Sequence, residues 1–228
     1  MNYGPILFLG IFLSFALSWA GMVFLPQKQL GHQELAKPFD AEALYPTPHS
    51  GLAEQGRQVY RAEGCAACHT QQVRPQDVPQ YGLRFTVAQD YLRDEPVQFG
   101  SLRLGPDLAN IGARMPDAKW HLLHLYNPRI TIEKSLMPQY KYLFEKRKIR
   151  GERSANALDL PKGFEVEEGF EVVPTDRADS LVAYMKSLRS DASLFESPLP
   201  TVPETDDTNA APASAEAATP TNTNSPEK

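Results

Sequence analysis

The sequence predicts a mainly α protein: one N-terminal transmembrane helix, then a small helical domain interrupted by long loops. Three observations predict it. From Gly4 to Leu25 there is no charged residue, and most positions are Leu, Ile, Phe, Ala, Val or Trp. Two helical patterns, one from Gly51 to about Arg61 and one from Asp176 to Leu188, bracket the rest of the ordered chain. Between them lie stretches rich in proline and glycine, entered through the run Cys65-Ala66-Ala67-Cys68-His69.

The apolar stretch is long enough to cross a hydrocarbon core as a helix. A cleaved signal peptide is the rival reading, since Ser18 and Ala20 are small residues at cleavage-site spacing. No Lys or Arg precedes the stretch, and it stays apolar beyond Ala20, which favours an uncleaved anchor over residues 1–25. Pro26 is expected to end it. Residues 26–50 read as an extended connector, because Pro38, Pro46 and Pro48 block regular helix. His32 and His49 fall in this connector and are expected to be solvated.

In the first helix of the domain, Leu52, Val59 and Tyr60 are the apolar positions. Residues 70–104 read as loop. Gly105-Pro106-Asp107-Leu108 is a turn signal, and Asp117 caps a helix over 118–126 that Asn127-Pro128 stops. Ser135 to Tyr140 is a loop centred on Met137-Pro138. Residues 145–173 are charged and show no clear period. The run Lys146–Arg150 reads as a solvated face, with docking to an acidic partner or lipid headgroups as the alternative. Thr175 or Asp176 caps the last helix, whose apolar stripe is Leu181, Val182, Tyr184, Met185 and Leu188. The domain thus spans 51–190. Residues 191–228 are dominated by Pro, Ala, Thr, Asn, Ser and Glu and read as a disordered tail.

The chemistry is carried by Cys65, Cys68 and His69. Cys-x-x-Cys-His is the attachment run of a c-type haem: both thiols reach one porphyrin edge and the histidine is held beneath the iron. A thioredoxin-like pair would follow a strand in a βαβ pattern, and a zinc site would need more Cys or His nearby. These are the chain's two cysteines, so no disulfide framework competes for them. Haem c is attached outside the cytoplasm, which puts the domain on the periplasmic side. A net charge of −5 gives no sign of a nucleic-acid binder.

With His69 as proximal ligand, the distal ligand comes from elsewhere. Methionine is the usual partner in electron-transfer cytochromes c. Met1 and Met22 belong to the anchor region, and Met185 reads as core. Met115 and Met137 both precede proline in loops, and Met137 lies in the longer one. His121 and His124 are the rivals for bis-histidine ligation, although each also reads as a satisfied polar residue on the Trp120 helix.

The helix before the haem run and the closing helix match the layout of class I cytochromes c, in which the first and last helices cross beside the haem edge. Gly56 and Tyr60 on one, and Leu181 and Tyr184 on the other, are the candidates for that crossing. In those proteins a Gly-Pro-x-Leu turn places a proline carbonyl on the proximal imidazole, and Pro106 is the matching residue.

More specifically, the stretch Gly64 to Pro75 resembles the haem segment of the mono-haem subunit (subunit II) of cbb3-type cytochrome c oxidases. Phe99-Gly100-Ser101, Gly105-Pro106-Asp107-Leu108-Ala109, Trp120-His121-Leu122-Leu123-His124-Leu125 and Ser135-Leu136-Met137-Pro138-Gln139-Tyr140 then follow in that family's order. The resemblance implies Met137 as the distal ligand and one covalent haem c. It further implies a haem–copper catalytic subunit as partner, with a multi-haem cytochrome c subunit or a soluble cytochrome c as donor. The chain would then relay electrons without reducing oxygen itself. A stand-alone membrane-anchored shuttle and the cytochrome subunit of a nitric oxide reductase share the same plan. A gas sensor or enzyme with an open iron position is the reading that Met137 argues against.

Overall fold

The computed structural model describes residues 2–39, 41–49 and 51–200. It is mainly helical. The chain begins with α1 (Gly4–Trp19), passes through a π-helical turn (Ala20–Phe24) and continues as α2 (Leu25–Leu30). Within this continuous helix the 26 residues Gly4–Gln29 form an apolar span that buries none of its apolar window against the rest of the chain. At 1.5 Å per residue this is about 39 Å long, more than a hydrocarbon core of roughly 30 Å requires. It is the one helix among the described residues that is long and apolar enough to cross a membrane.

Pro26 does not end this helix, contrary to expectation. Proline lacks the N–H of the regular ladder, and its ring crowds the preceding turn. Here the turn before it is wound as π-helix, and Pro26 sits in the first turn of the segment that follows, where its missing donor costs least.

The haem-motif domain is built on a crossing of α3 (Gly51–Ala62) and α7 (Asp176–Ser187). Ala53, Gly56 and Tyr60 are the buried face of α3. Leu181, Tyr184 and Met185 are among the buried residues of α7. Tyr60 and Tyr184 meet edge to face, with ring centroids 5.6 Å apart. This is the crossing the sequence predicts. Thr175 occupies the N-cap position of α7, but its hydroxyl donates to the Leu143 carbonyl at 2.7 Å instead of capping.

Between these helices the chain makes short elements: α4 (Val78–Tyr81), α5 (Ile111–Arg114) and α6 (Ala118–Tyr126). Asp117 caps α6 by accepting from the Lys119 N–H at 3.0 Å. Beyond α6 lies an element the sequence did not announce. Strands β1 (Phe144–Lys148) and β2 (Phe170–Pro174) pair antiparallel, with Phe144 opposite Pro174 and Lys148 opposite Phe170. The basic run therefore lies on and just after β1. Arg147 Nε donates to Glu171 at 2.9 Å, and Lys146 pairs with Glu167.

The connector is not a free, extended spacer. Ala36 and Tyr45 form an antiparallel bridge, and Tyr45 Oη donates to Asp90 at 2.6 Å. His49, expected in solvent, is packed: its Nδ1 shares a hydrogen bond with Ser187 Oγ at 2.9 Å, and its ring meets Tyr184 edge-on. The tail, expected to be disordered from residue 191, is anchored at two points within its first ten residues. Leu194 is 1% exposed, and Ser197 Oγ donates to the Phe85 carbonyl at 2.8 Å. Residues 201–228 lie outside the described residues.

Candidate haem site

The site begins where α3 ends. Gly64 takes φ +70°, the left-handed region that a glycine enters without strain, and turns the chain out of the helix. Cys65–Ala67 then form one 3-10 turn, closed by the Cys68 and His69 N–H groups donating to the Cys65 carbonyl. The two cysteines are free thiols on the same turn, and His69 follows at once. Burial pushes the Cys65 thiol up to about 12, with Glu63 adding to the effect. It is therefore a neutral S–H at physiological pH.

Two glycines bring other segments against this turn. A Cβ at position 100 would strike the His69 and Ala66 carbonyls, so the segment 99–101 requires glycine at its centre. A Cβ at position 105 would lie on the His69 imidazole itself. The segment 105–109 is then stitched to 68–72. The Gly105 N–H donates to the Cys68 carbonyl at 3.0 Å, and the Leu108 N–H to the Thr70 carbonyl at 2.8 Å. Between these two bonds, His69 Nδ1 lies 2.8 Å from the Pro106 carbonyl. A carbonyl can only accept, so Nδ1 carries the proton and the Nε2 lone pair is left available. Burial lowers the His69 ring below the ordinary histidine value, against the opposing pull of that carbonyl, which favours the neutral, ligating form.

The Met137 loop packs on the same apolar cluster as Cys65. Tyr140, three residues on, has its phenol pushed up to about 12 by burial and by the charges of Cys65, Glu63 and Cys68. Tyr142 Oη donates to Glu63 at 2.5 Å, and the Tyr140 N–H to the Leu125 carbonyl at 2.9 Å. Met137, Met115, Cys65 and Ala66 are partly buried along the edge of one apolar cluster, whereas Met185 is within it. The Met137 N–H donates to Ser135 Oγ at 3.3 Å.

The two rival histidines are both engaged. His121 is 5% exposed, and its Nε2 bonds the Met115 carbonyl at 2.8 Å. His124 Nδ1 bonds Thr131 Oγ1 at 2.5 Å, and its ring stacks on Trp120. Burial, then the His69 and His121 charges, hold His124 down at about 4.

Sequence reasoning missed the supports of the site. Gln71 is 3% exposed, its side-chain amide donating to Tyr184 Oη at 3.0 Å and its backbone carbonyl accepting from Tyr91 Oη at 2.8 Å. Asp107 is 2% exposed and accepts from two backbone N–H groups. The signal was present in the place of Gln71 two residues after His69 and of Asp107 next to Pro106, but polar residues in loops read as surface until the loops are seen to pack.

The donor set fits a c-type haem: two free thiols on one turn, an imidazole with Nδ1 committed and Nε2 available, a glycine where a side chain would obstruct that ring, and thioethers on the neighbouring apolar edge. Over residues 6–167 the sequence matches the family described as cytochrome c oxidase, mono-heme subunit/FixO. The chain belongs to the FixO family. No curated relative matches it.

Membership makes this FixO chain a mono-haem subunit of a cytochrome c oxidase, carrying one haem within an oxidase complex. The FixO match covers the N-terminal helix, the haem run, the Gly105–Ala109 turn and the Met137 loop. It ends before β2 and α7. The single apolar N-terminal helix fits a single-pass anchor for the FixO domain.

Proposed function

We propose that this FixO chain is an electron relay: a membrane-anchored cytochrome c that passes electrons to the haem–copper subunit of a cbb3-type oxidase in aerobic respiration. Cys65 and Cys68 would each form a thioether, the sulfur bonding to a vinyl carbon of the haem while the thiol hydrogen goes to that group's other carbon. His69 Nε2 and the Met137 sulfur would hold the iron, and the Pro106 carbonyl would orient the imidazole. The bound haem supplies one-electron redox chemistry. With both ligands supplied by this chain, no position would be left for a gas or peroxide, which separates this reading from the sensor and enzyme readings.

The observation that carries the reading is the His69–Pro106 hydrogen bond immediately beside two free thiols. A metal-bound histidine whose other nitrogen bonds a backbone carbonyl is held in one tautomer and orientation. The complex-bound reading is favoured over a free shuttle by the long segment between His69 and Gly105, which builds structure well beyond a haem shell. Attachment outside the cytoplasm places the domain on the periplasmic side of the inner membrane, with a multi-haem subunit or a soluble cytochrome c as donor.

Haem staining of a denaturing gel tests the attachment. The unmodified chain retains stain, Cys65→Ala or Cys68→Ala weakens it, and the double variant loses it. A stained double variant refutes the assignment. Co-purification with a haem–copper subunit from membranes tests the partner, and recovery of the holoprotein alone under mild detergent would favour the shuttle.

A further inference from the structure

Asp107, one of the supports of the site, is almost wholly buried. Burying a carboxylate is costly unless its oxygens are hydrogen-bonded. Both oxygens here serve the backbone. Oδ2 accepts from the Gln72 N–H at 3.1 Å, and Oδ1 from the Ala109 N–H at 2.8 Å. One bond reaches across to the segment that carries His69, and the other closes Asp107's own turn. The Asp107 carbonyl is held in addition by Arg114 Nη2, at 2.5 Å. Arg103 reaches the same neighbourhood from the third segment, donating to the Gln72 carbonyl at 3.3 Å and to the Gln72 side-chain oxygen at 3.0 Å.

We propose that Asp107 is a positioning residue for the proximal ligand: its carboxylate locks the turn 105–109 onto residues 68–72 and so holds the Pro106 carbonyl on His69 Nδ1. The geometry leaves little else for this side chain to do. The Gly105–Cys68 bond lies on one side of the His69–Pro106 bond, and the Leu108–Thr70 and Asp107–Gln72 bonds lie on the other. Asp107 adds a side-chain cross-link beside the backbone bonds, and it is the residue next to Pro106. An apolar residue would fill the same buried volume without a desolvation cost, but it would leave the Gln72 and Ala109 N–H groups to find other acceptors.

The consequence is electronic as well as geometric. A short Nδ1–H···O=C bond makes the imidazole a better donor, which favours the oxidised iron. Loosening the turn weakens that bond, and the reduction potential rises. The inference rests on the haem reading of His69.

Two variants of the holoprotein test it: Asp107→Asn, which keeps one acceptor and turns an amide N–H₂ toward the other backbone donor, and Asp107→Leu, which keeps neither. The first readout is the hydrogen-exchange rate of the His69 Nδ1–H in the reduced, diamagnetic protein. The second is the reduction potential at neutral pH. In Asp107→Leu the proton should exchange about tenfold faster, equivalent to about 1.4 kcal/mol, the scale of one hydrogen bond. Asp107→Asn should fall between, and the potentials should rise in the same order. Equal rises in both variants with unchanged exchange would mean that only the charge acts, and would overturn the proposal. Unchanged exchange and potential with a lowered melting point would overturn it too, leaving a structural residue. If Asp107→Leu does not accumulate, Asp107→Asn alone decides: faster exchange supports the proposal and unchanged exchange refutes it. A chain that fails to retain haem even with Asp107 in place would sink the haem reading instead, so the two failures are distinct.

Discussion

Gly56 of α3 lies directly against the Ser180 carbonyl of α7, so closely that a Cβ at position 56 would overlap that oxygen and also press on the Tyr184 side chain. The helix crossing therefore depends on a missing side chain. Neither obstacle is the far end of a flexible group, since one is backbone and the other a Cβ. Gly56→Ala would gain up to about 1 kcal/mol of helix propensity. It would lose more through overpacking, which typically costs about 1–3 kcal/mol and here forces two helices apart. The expected outcome is a holoprotein with a normal spectrum and a melting point lowered by several degrees. An unchanged or raised melting point would show that the crossing is looser than its geometry.

That crossing was legible in the sequence because both helices are amphipathic and each carries its own small or aromatic contact residues. The tight turn of Cys65 to His69 was legible because its spacing is local, and the Pro106 carbonyl on His69, 37 residues away, was legible only through the likeness to class I cytochromes c. The β1–β2 hairpin was not. Its strands lack the alternation that marks a half-buried strand: β1 buries Phe144 alone, whereas β2 buries four consecutive residues from Glu171 to Pro174. Their pairing also spans a long loop, and no local pattern reports a partner that far away. The packed start of the tail was hidden for a related reason. Ala192 and Ser197 stand in a low-complexity composition, and they are held because Arg84 and Phe85, more than a hundred residues earlier, provide the hydrogen-bond partners.

Arg84 and Asp90 form the hub of that packing, with side chains 1% and 3% exposed. Arg84 makes a two-pronged contact with the carboxylate at 2.6 and 3.0 Å, and its Nε donates to the Ala192 carbonyl at 2.6 Å. Asp90 also accepts from Tyr45 Oη and from the Val87 N–H. One ion pair thus fastens the connector and the start of the tail to the same loop. Removing one partner of a buried pair leaves an uncompensated charge and typically costs about 3–5 kcal/mol. Asp90→Asn should therefore release both segments together. Limited proteolysis should show new cleavage near residues 33–49 and 191–200 while haem stain is retained. Cleavage confined to one segment would separate the two attachments.

Glu171 makes the hairpin sensitive to acid. Its carboxylate is 3% exposed and accepts from the Ser154 N–H at 2.7 Å, from Ser154 Oγ at 2.5 Å and from Arg147 Nε at 2.9 Å. The Ser154 bonds foremost, then Arg147, hold its pKa down at about 2, against an ordinary 4.5. The folded state therefore favours the ionised form. The stabilisation is fully present above pH 4.5 and is lost as the pH falls from there toward about 2. Amide exchange of β1 and β2 measured across that window should speed up as the pH drops, after correction for intrinsic rates. Glu171→Gln should be less protected at neutral pH and should show a flatter acid limb. An unchanged acid limb in that variant would place the sensitivity elsewhere.

The distal ligand gives the sharpest choice, because Met115 and Met137 both border the apolar cluster beside Cys65. The surroundings of Met115 are already committed: its N–H donates to the Ile111 carbonyl, and its own carbonyl accepts from His121. Met137 sits in the loop that leads to Tyr140, which feels the charges of Cys65 and Cys68, and to Tyr142, which donates to Glu63. Met137→His should keep a six-coordinate, low-spin haem, lose the sulfur-to-iron charge-transfer band of the oxidised protein, and lower the reduction potential. Thioether favours the reduced iron more than imidazole does, and axial ligation spans about 0.8 V across haem proteins, so a redox titration resolves the fall readily. Met115→Leu should leave band and potential nearly unchanged and cost less than about 1.5 kcal/mol, as swaps between side chains of similar volume do. Loss of the band in Met115→Leu with its survival in Met137→His would reverse the assignment. The loop 135–140 would then serve to cover the haem edge, and the sixth ligand would come from the short segment between α5 and α6.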